Sequence, residues 1–200
     1  TTGAIAVAGC KNTTREFLQG LVDRGIRPAL CITIGPEKGT SQQVAGYTDL
    51  RPYLRETGID YVVADKYSLK SDVDRREITS RAIDVLLVIG WQRLIPDWLL
   101  EHARLGAYGM HGSNKPLPHG RGRSPLNWSL IQGKRLFFTH LFRYSTGVDD
   151  GPIVGQQIFD ITVHDTAHTL HLKNLVAMVN LCERYLPDIL DGSLRTRPQA

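Results

Sequence analysis

Apolar residues in the first half of the chain fall in short unbroken runs bounded by glycine, and the polar stretches between them carry helical spacing. The run from Gly3 to Gly9 is apolar almost throughout, which suits a strand buried on both faces, as in a parallel sheet. Phe17, Leu18, Leu21 and Val22 then recur at helical spacing. Thr13, with Glu16 three residues on, makes a capping-box pattern at the start of this helix, and Gly25 ends it. Residues 28–35 give a second buried strand and complete a βαβ unit, followed by a loop of Gly, Gln and Ser over 36–47.

The same grammar continues. A helix is expected from about Asp49 to Glu56, stopped at Gly58, then a short strand from Asp60 to Val63. Ser71 with Asp74 caps a further helix running to about Ala82, and Asp84 to Gly90 is the strongest strand pattern in the chain. Pro96 opens the next helix, where its missing N–H is harmless, and Gly106 to His111 reads as a strand. Two β-type runs lie within Lys134 to Ile161, joined by a hairpin-like excursion. A long helix from about Thr166 to Leu190, capped by Asp165, closes the pattern. Strands alternating with helices predict an α/β fold, a Rossmann-like doubly wound and mostly parallel sheet with antiparallel C-terminal strands. Ligands of such sheets lie beyond the carboxyl ends of the strands.

A length of 200 residues at 42% hydrophobic content suits one domain, expected over residues 1–192, with 193–200 as a tail or the start of a linker to an extension. The net charge of +4 comes from dispersed residues such as Arg15, Arg51, Arg75, Arg121 and Arg195, so a nucleic-acid surface is not expected. Cys10, Cys31 and Cys182 are odd in number and lack metal-ligand spacing, which suits free core thiols in a reducing, cytoplasmic setting. The apolar start is too short for a membrane span of ~20 residues and lacks a basic leader. Nothing in the pattern fixes an oligomeric state.

Candidate chemistry concentrates in loops after strands. Gly90 to Pro96 follows the strongest strand, and taken alone it is as well explained by a turn whose Trp91 plugs the core. His111 falls at the carboxyl end of the next predicted strand, where a sheet of this kind places its chemistry. Asp149 and Asp150 precede Gly-Pro as turn residues do, yet one of them, folded back, would orient and charge-stabilise His111 for proton transfer. His164, His168 and His171 have a spacing that invites a metal, but two straddle a helix cap and no acid or cysteine completes a set, so solvated or capping roles are expected.

Four motifs in order carry a resemblance. These are GWQRLIP at 90–96, the His-Gly-Ser of 111–113 followed by Leu117-Pro118, RGRSPLNWSLIQG at 121–133, and VDDGPIVGQ at 148–156. Together they resemble the 10-formyltetrahydrofolate-dependent formyltransferases, over essentially residues 3–192. The resemblance implies a formyl donor, 10-formyltetrahydrofolate, no metal, and a small-molecule amine as acceptor, an amino sugar being favoured. It implies catalytic roles for His111 and Asp149, and pterin contacts, largely through backbone, from Trp91, Gln92, Arg93, Leu94 and Ile95 and from Tyr144, Ser145, Thr146, Gly147 and Val148.

The family's asparagine, two residues before the histidine, donates a hydrogen bond to the formyl oxygen. Gly109 stands at that position here. Asn114, in a connection longer than usual, is the chemically apt replacement among nearby residues. Two further readings stay open, a folate-binding module without activity and a formyltetrahydrofolate hydrolase.

Overall fold

The structure is a computed structural model that describes residues 3–119, 125–145 and 151–199. The chain divides into two compact units, Thr1–Ala107 and Tyr108–Ala200. It has the expected α/β class, with a parallel doubly wound first unit and antiparallel C-terminal strands beside a long C-terminal helix.

In the first unit β1 (Ile5–Ala8), β2 (Leu30–Thr33), β3 (Asp60–Val63) and β4 (Val85–Val88) lie parallel in the order β3-β2-β1-β4. Every residue of β1, β2 and β4 is buried, as their unbroken apolar runs require, whereas β3 exposes Asp60 and Val63. Four helices connect them, α1 (Asn12–Asp23), α2 (Pro36–Ser41), α3 (Arg51–Thr57) and α4 (Asp72–Thr79), and α5 (Asp97–His102) follows β4.

The first turn is tight. A β-carbon on Gly9 would lie 2.0 Å from the Ile89 carbonyl oxygen, so only glycine fits where β1 runs into α1. The Thr14 hydroxyl donates to that same carbonyl at 2.7 Å and accepts the Lys11 N–H at 3.2 Å. Helix α1 therefore starts two residues ahead of the expected Thr13–Glu16 box, with Lys11 at the cap, and Glu16 instead accepts from Asn12 at 2.9 Å.

Three other boundaries differ from expectation. Residues 36–41 are helical rather than loop, because Pro36 takes the first helical position and Gly39 lies beneath the Tyr47 ring, 2.5 Å from its Cγ at the β-carbon position. Helix α4 ends at Thr79, short of Ala82, although Ser71 caps it as expected by accepting the Asp74 N–H at 3.1 Å. Pro96 is the residue before α5 and not its first. Cys10, Cys31 and Cys182 are all buried and unpaired, as expected.

In the second unit β5 (Ala107–Ser113), β6 (Leu136–Arg143) and β7 (Ile153–Asp160) form an antiparallel set, with α6 (Pro125–Ile131) and α7 (Ala167–Asp191). Strand pleat gives its residues two faces. On one, Phe137 packs with Leu126 of α6 and Leu170 of α7, and the Thr139 hydroxyl donates to Asn174 Oδ1 of α7 at 2.7 Å. On the other, Gly109, His111 and Ser113 of β5 pair with Phe142, His140 and Phe138 of β6.

Thr166 caps α7, its hydroxyl accepting the Thr169 N–H at 3.3 Å. The expected cap, Asp165, instead accepts from the Thr162 N–H at 2.8 Å and the Thr169 hydroxyl at 2.8 Å, and pairs with Lys173 at 2.7 Å. Gly192, at φ 79, ends the helix, and the chain then returns so that Arg197 and Ile153 exchange backbone hydrogen bonds at 2.8 and 2.7 Å. Among the described residues, no helix is long and apolar enough to cross a membrane.

Candidate active site

The loop after β4 is a packed wall. Trp91 and Ile95 are buried, whereas Gln92, Arg93 and Leu94 are exposed. The Trp91 ring meets Tyr67 edge-on at 4.9 Å, and the Gln92 N–H donates to the Tyr67 hydroxyl oxygen at 3.0 Å. Burial pushes the Tyr67 phenol up to about 12, so it stays protonated at neutral pH. Arg93 lies over the same ring at 5.4 Å and donates to Gln42 Oε1 at 3.2 Å. The core-plug reading of Trp91 holds for its ring. Its indole N–H, however, is buried with no hydrogen-bond partner among the described residues. A buried donor left unmade is destabilising by about 1–3 kcal/mol, which makes this nitrogen stand out in an otherwise satisfied loop.

In the second unit β5 runs on to Ser113, two residues past its expected end. His111 therefore lies inside the strand, 8% exposed, with His140 directly across from it on β6. His140 is completely buried, and its Nε2 accepts the Leu117 N–H at 3.3 Å. That bond requires a lone pair on Nε2, hence a neutral ring with its proton on Nδ1. Burial holds the His140 pKa below the ordinary histidine value against the opposing pull of a hydrogen bond with the His111 backbone, and the charge of Arg197 pushes it down further.

Leu117 also packs against Phe142 and Ile153, so the segment after β5 is tied down over the His111 face by one apolar side chain and one backbone bond. Asn114 is half-buried just beyond the strand end, where the Lys115 N–H donates to Ser113 Oγ at 3.2 Å and turns the chain.

Gly109 occupies the same face two residues before His111. A β-carbon there would lie 2.4 Å from Tyr144 Cε2, 3.2 Å from Tyr144 Cζ and 3.1 Å from Phe142 Cζ. Tyr144 is partly buried and stacks on Phe142 at 5.5 Å, while Ser145 is half-buried beside it. Thr146, Gly147, Val148 and Asp149 lie outside the described residues.

Of the expected catalytic residues, His111 thus lies within β5 and Asn114 just past its end, and Tyr144 closes over Gly109. Sequence reasoning passed over His140 and the packing of Tyr144. The alternation Phe138, His140, Phe142, Tyr144 was the available signal, since a period of two puts all four side chains on the face that carries His111.

Residues 38–180, well over half of the chain, match the model of a family described as formyl transferase. Solved structures show the same fold. Glycinamide ribonucleotide transformylase 1 from Symbiobacterium toebii superposes with a TM-score of 0.72 at 19% identity, covering 100% of this chain and 95% of its own. The N-formyltransferase from Helicobacter canadensis, in complex with folinic acid and dTDP-3-aminofucose, gives 0.68 at 17% identity, covering 98% of this chain and 67% of its own. A formyltetrahydrofolate deformylase from Pseudomonas syringae pv. tomato gives 0.71 at 15% identity, covering 98% of this chain and 65% of its own. With the family match spanning both the Trp91 loop and the His111 face, this chain belongs to the formyl transferase family.

Proposed function

We propose that the chain transfers a formyl group from 10-formyltetrahydrofolate to the amine of a small acceptor, and that it does so in the cytoplasm. The observation that carries this reading is His111, a buried imidazole on a strand face of a formyl transferase family chain, beside a bare glycine and under a tied-down segment. A relative whose complex holds folinic acid and an amino sugar linked to a nucleotide supports both the donor class and the acceptor class.

The residues present suit a reduced folate. The unpartnered indole N–H of Trp91 is a donor awaiting an acceptor, in the loop that the resemblance assigns to pterin contact, and buried Ile95 gives that loop an apolar floor. The donor supplies an activated one-carbon acyl group. In the transfer the amine nitrogen bonds to the formyl carbon, the bond from that carbon to the folate nitrogen breaks, and the amine's proton ends on that nitrogen.

His111 is suited to carry that proton, since an imidazole can accept a proton at one ring nitrogen and return it. Asp149 is assigned the role of holding the imidazole and stabilising its charged form, as the resemblance implies. Residues 1–192 act as the catalytic domain in this reading. Among the described residues no group of three or more His, Cys, Asp or Glu comes together, so none offers a metal cage.

The experiment is direct: purified chain, 10-formyltetrahydrofolate and a panel of amino sugars, with release of tetrahydrofolate followed by absorbance. Amine-dependent release supports transfer. Release at the same rate without amine assigns the hydrolase reading, and saturable folate binding without release assigns the inactive module.

A further inference from the structure

Position 109 lacks a side chain for a positive reason. The Tyr144 ring already fills the volume into which a side chain at 109 would project, since Cε2 lies 2.4 Å from the β-carbon position, closer than any real contact allows. Glycine at 109 and tyrosine at 144 are therefore one arrangement, and Phe142 holds it from the side by stacking on the tyrosine at 5.5 Å.

We propose that the Tyr144 hydroxyl is a catalytic hydrogen-bond donor of this site, aimed at the formyl oxygen, in the place where a side chain at 109 would otherwise reach. The inference rests on the formyl-transfer reading given above. Tyr144 Cζ lies 3.2 Å from the position of a 109 β-carbon, and the phenol oxygen is one bond beyond Cζ. The amide nitrogen of an asparagine is two bonds beyond its own β-carbon. The far edge of the Tyr144 ring, which carries the hydroxyl, thus takes the volume a side chain at 109 would enter, on the face that carries His111.

The chemistry favours the exchange. As the amine adds to the formyl carbon, the carbonyl oxygen gains negative charge, and a phenol is a stronger hydrogen-bond acid than an amide. Tyrosine serves as an oxyanion donor for this reason, and it keeps its proton at neutral pH. The ring is also rigid, with its plane fixed against Phe142, so the donor is oriented before substrate arrives.

Asn114 is placed less well for this task. It follows the end of β5, five residues past Gly109, which is about 16 Å along an extended strand. Its own backbone has begun to turn at the bond between the Lys115 N–H and Ser113 Oγ.

The test compares wild type, Tyr144→Phe, Asn114→Ala and the double variant Gly109→Asn/Tyr144→Ala in the transfer assay, with folinic acid binding measured on each by calorimetry. Tyr144→Phe keeps the ring and its stacking but loses the donor. We expect kcat to fall by about 10²–10³-fold, the range for removal of an oxyanion donor, with folinic acid affinity nearly unchanged. The double variant opens the volume and refills it with an amide, and it should recover a large part of that loss.

Full kcat in Tyr144→Phe overturns the proposal and leaves the ring as a space filler. A loss confined to Asn114→Ala overturns it in favour of Asn114. If wild type binds folinic acid but transfers nothing, while the double variant transfers, Tyr144 is a block and not a donor, and the family chemistry survives without this inference. If no variant binds folinic acid, the formyl-transfer reading itself falls and takes the proposal with it.

Discussion

His140 faces His111 directly across the β5–β6 pair, and it is held neutral by accepting the Leu117 N–H through Nε2. The imidazole proposed to carry the proton thus has a second imidazole beside it that cannot titrate without giving up a backbone hydrogen bond and charging a buried site. Keeping His140 neutral spares His111 a like-charge neighbour as it takes up a proton.

The first prediction concerns pH. The folded-state pKa of His140 is lowered, so its neutral form stabilises the fold above the unfolded value, ~6.5, and this contribution is lost as pH falls through the folded value. His140→Gln retains an acceptor for Leu117 and cannot titrate. Urea midpoints measured between about pH 7 and pH 5 should fall more steeply for wild type than for His140→Gln, and parallel profiles would show that His140 is not the group responsible.

Removing His111 should strike turnover and not binding. His111→Ala is expected to lower kcat by about 10²–10⁴-fold, the range of a general acid–base group, while folinic acid affinity stays within a few fold. A circular dichroism spectrum like that of wild type checks that the strand survives. Near-native turnover in a folded variant would remove His111 from the chemistry.

Trp91→Phe keeps an aromatic ring against Tyr67, deletes the unpartnered indole N–H and shortens the buried ring system. Loss of one hydrogen bond of about 0.5–1.5 kcal/mol should weaken folate binding several-fold, appearing in KM with kcat little altered. Calorimetric titration with folinic acid reads this, and unchanged affinity would return Trp91 to a purely structural role.

Gly9→Ala should be poorly tolerated. The added carbon would meet the Ile89 carbonyl at 2.0 Å, backbone against backbone, with the Thr14 side chain at 2.4 Å on its other side. Overpacking of this kind destabilises by about 1–3 kcal/mol or more, so the thermal midpoint should drop by several degrees. An unaltered midpoint would mean that the β1–α1 turn relaxes freely.

The sheet was legible where residues were buried on both faces, because an apolar run such as Val85–Val88 admits few other structures. Helix ends were less so. Thr13 with Glu16 has the letters of a capping box, yet Thr14 won because its hydroxyl reaches the Ile89 carbonyl, a contact 75 residues away in sequence. Asp165 likewise looked like a cap and was drawn instead to Lys173, which holds its carboxyl well below the usual carboxylate range.

The site shows the same division. His111 and the Trp91 loop were expected there from motif order and from the rule that ligands meet strand ends, although β5 runs two residues past His111. The packing of Tyr144 against Gly109 was only half legible, because the alternation gives the face but the contact depends on the register of β5 against β6. A glycine in a motif position reads as a loss until its neighbour across the sheet is known.

The most direct test of the account is amine-dependent conversion of 10-formyltetrahydrofolate to tetrahydrofolate by the purified chain, with amino sugars as acceptors and His111→Ala as the control. The account predicts saturable release of tetrahydrofolate that requires both the amine and His111, with the formylated amine as the other product. A wild-type chain that neither binds folinic acid at millimolar concentration nor releases tetrahydrofolate with any amine would contradict it.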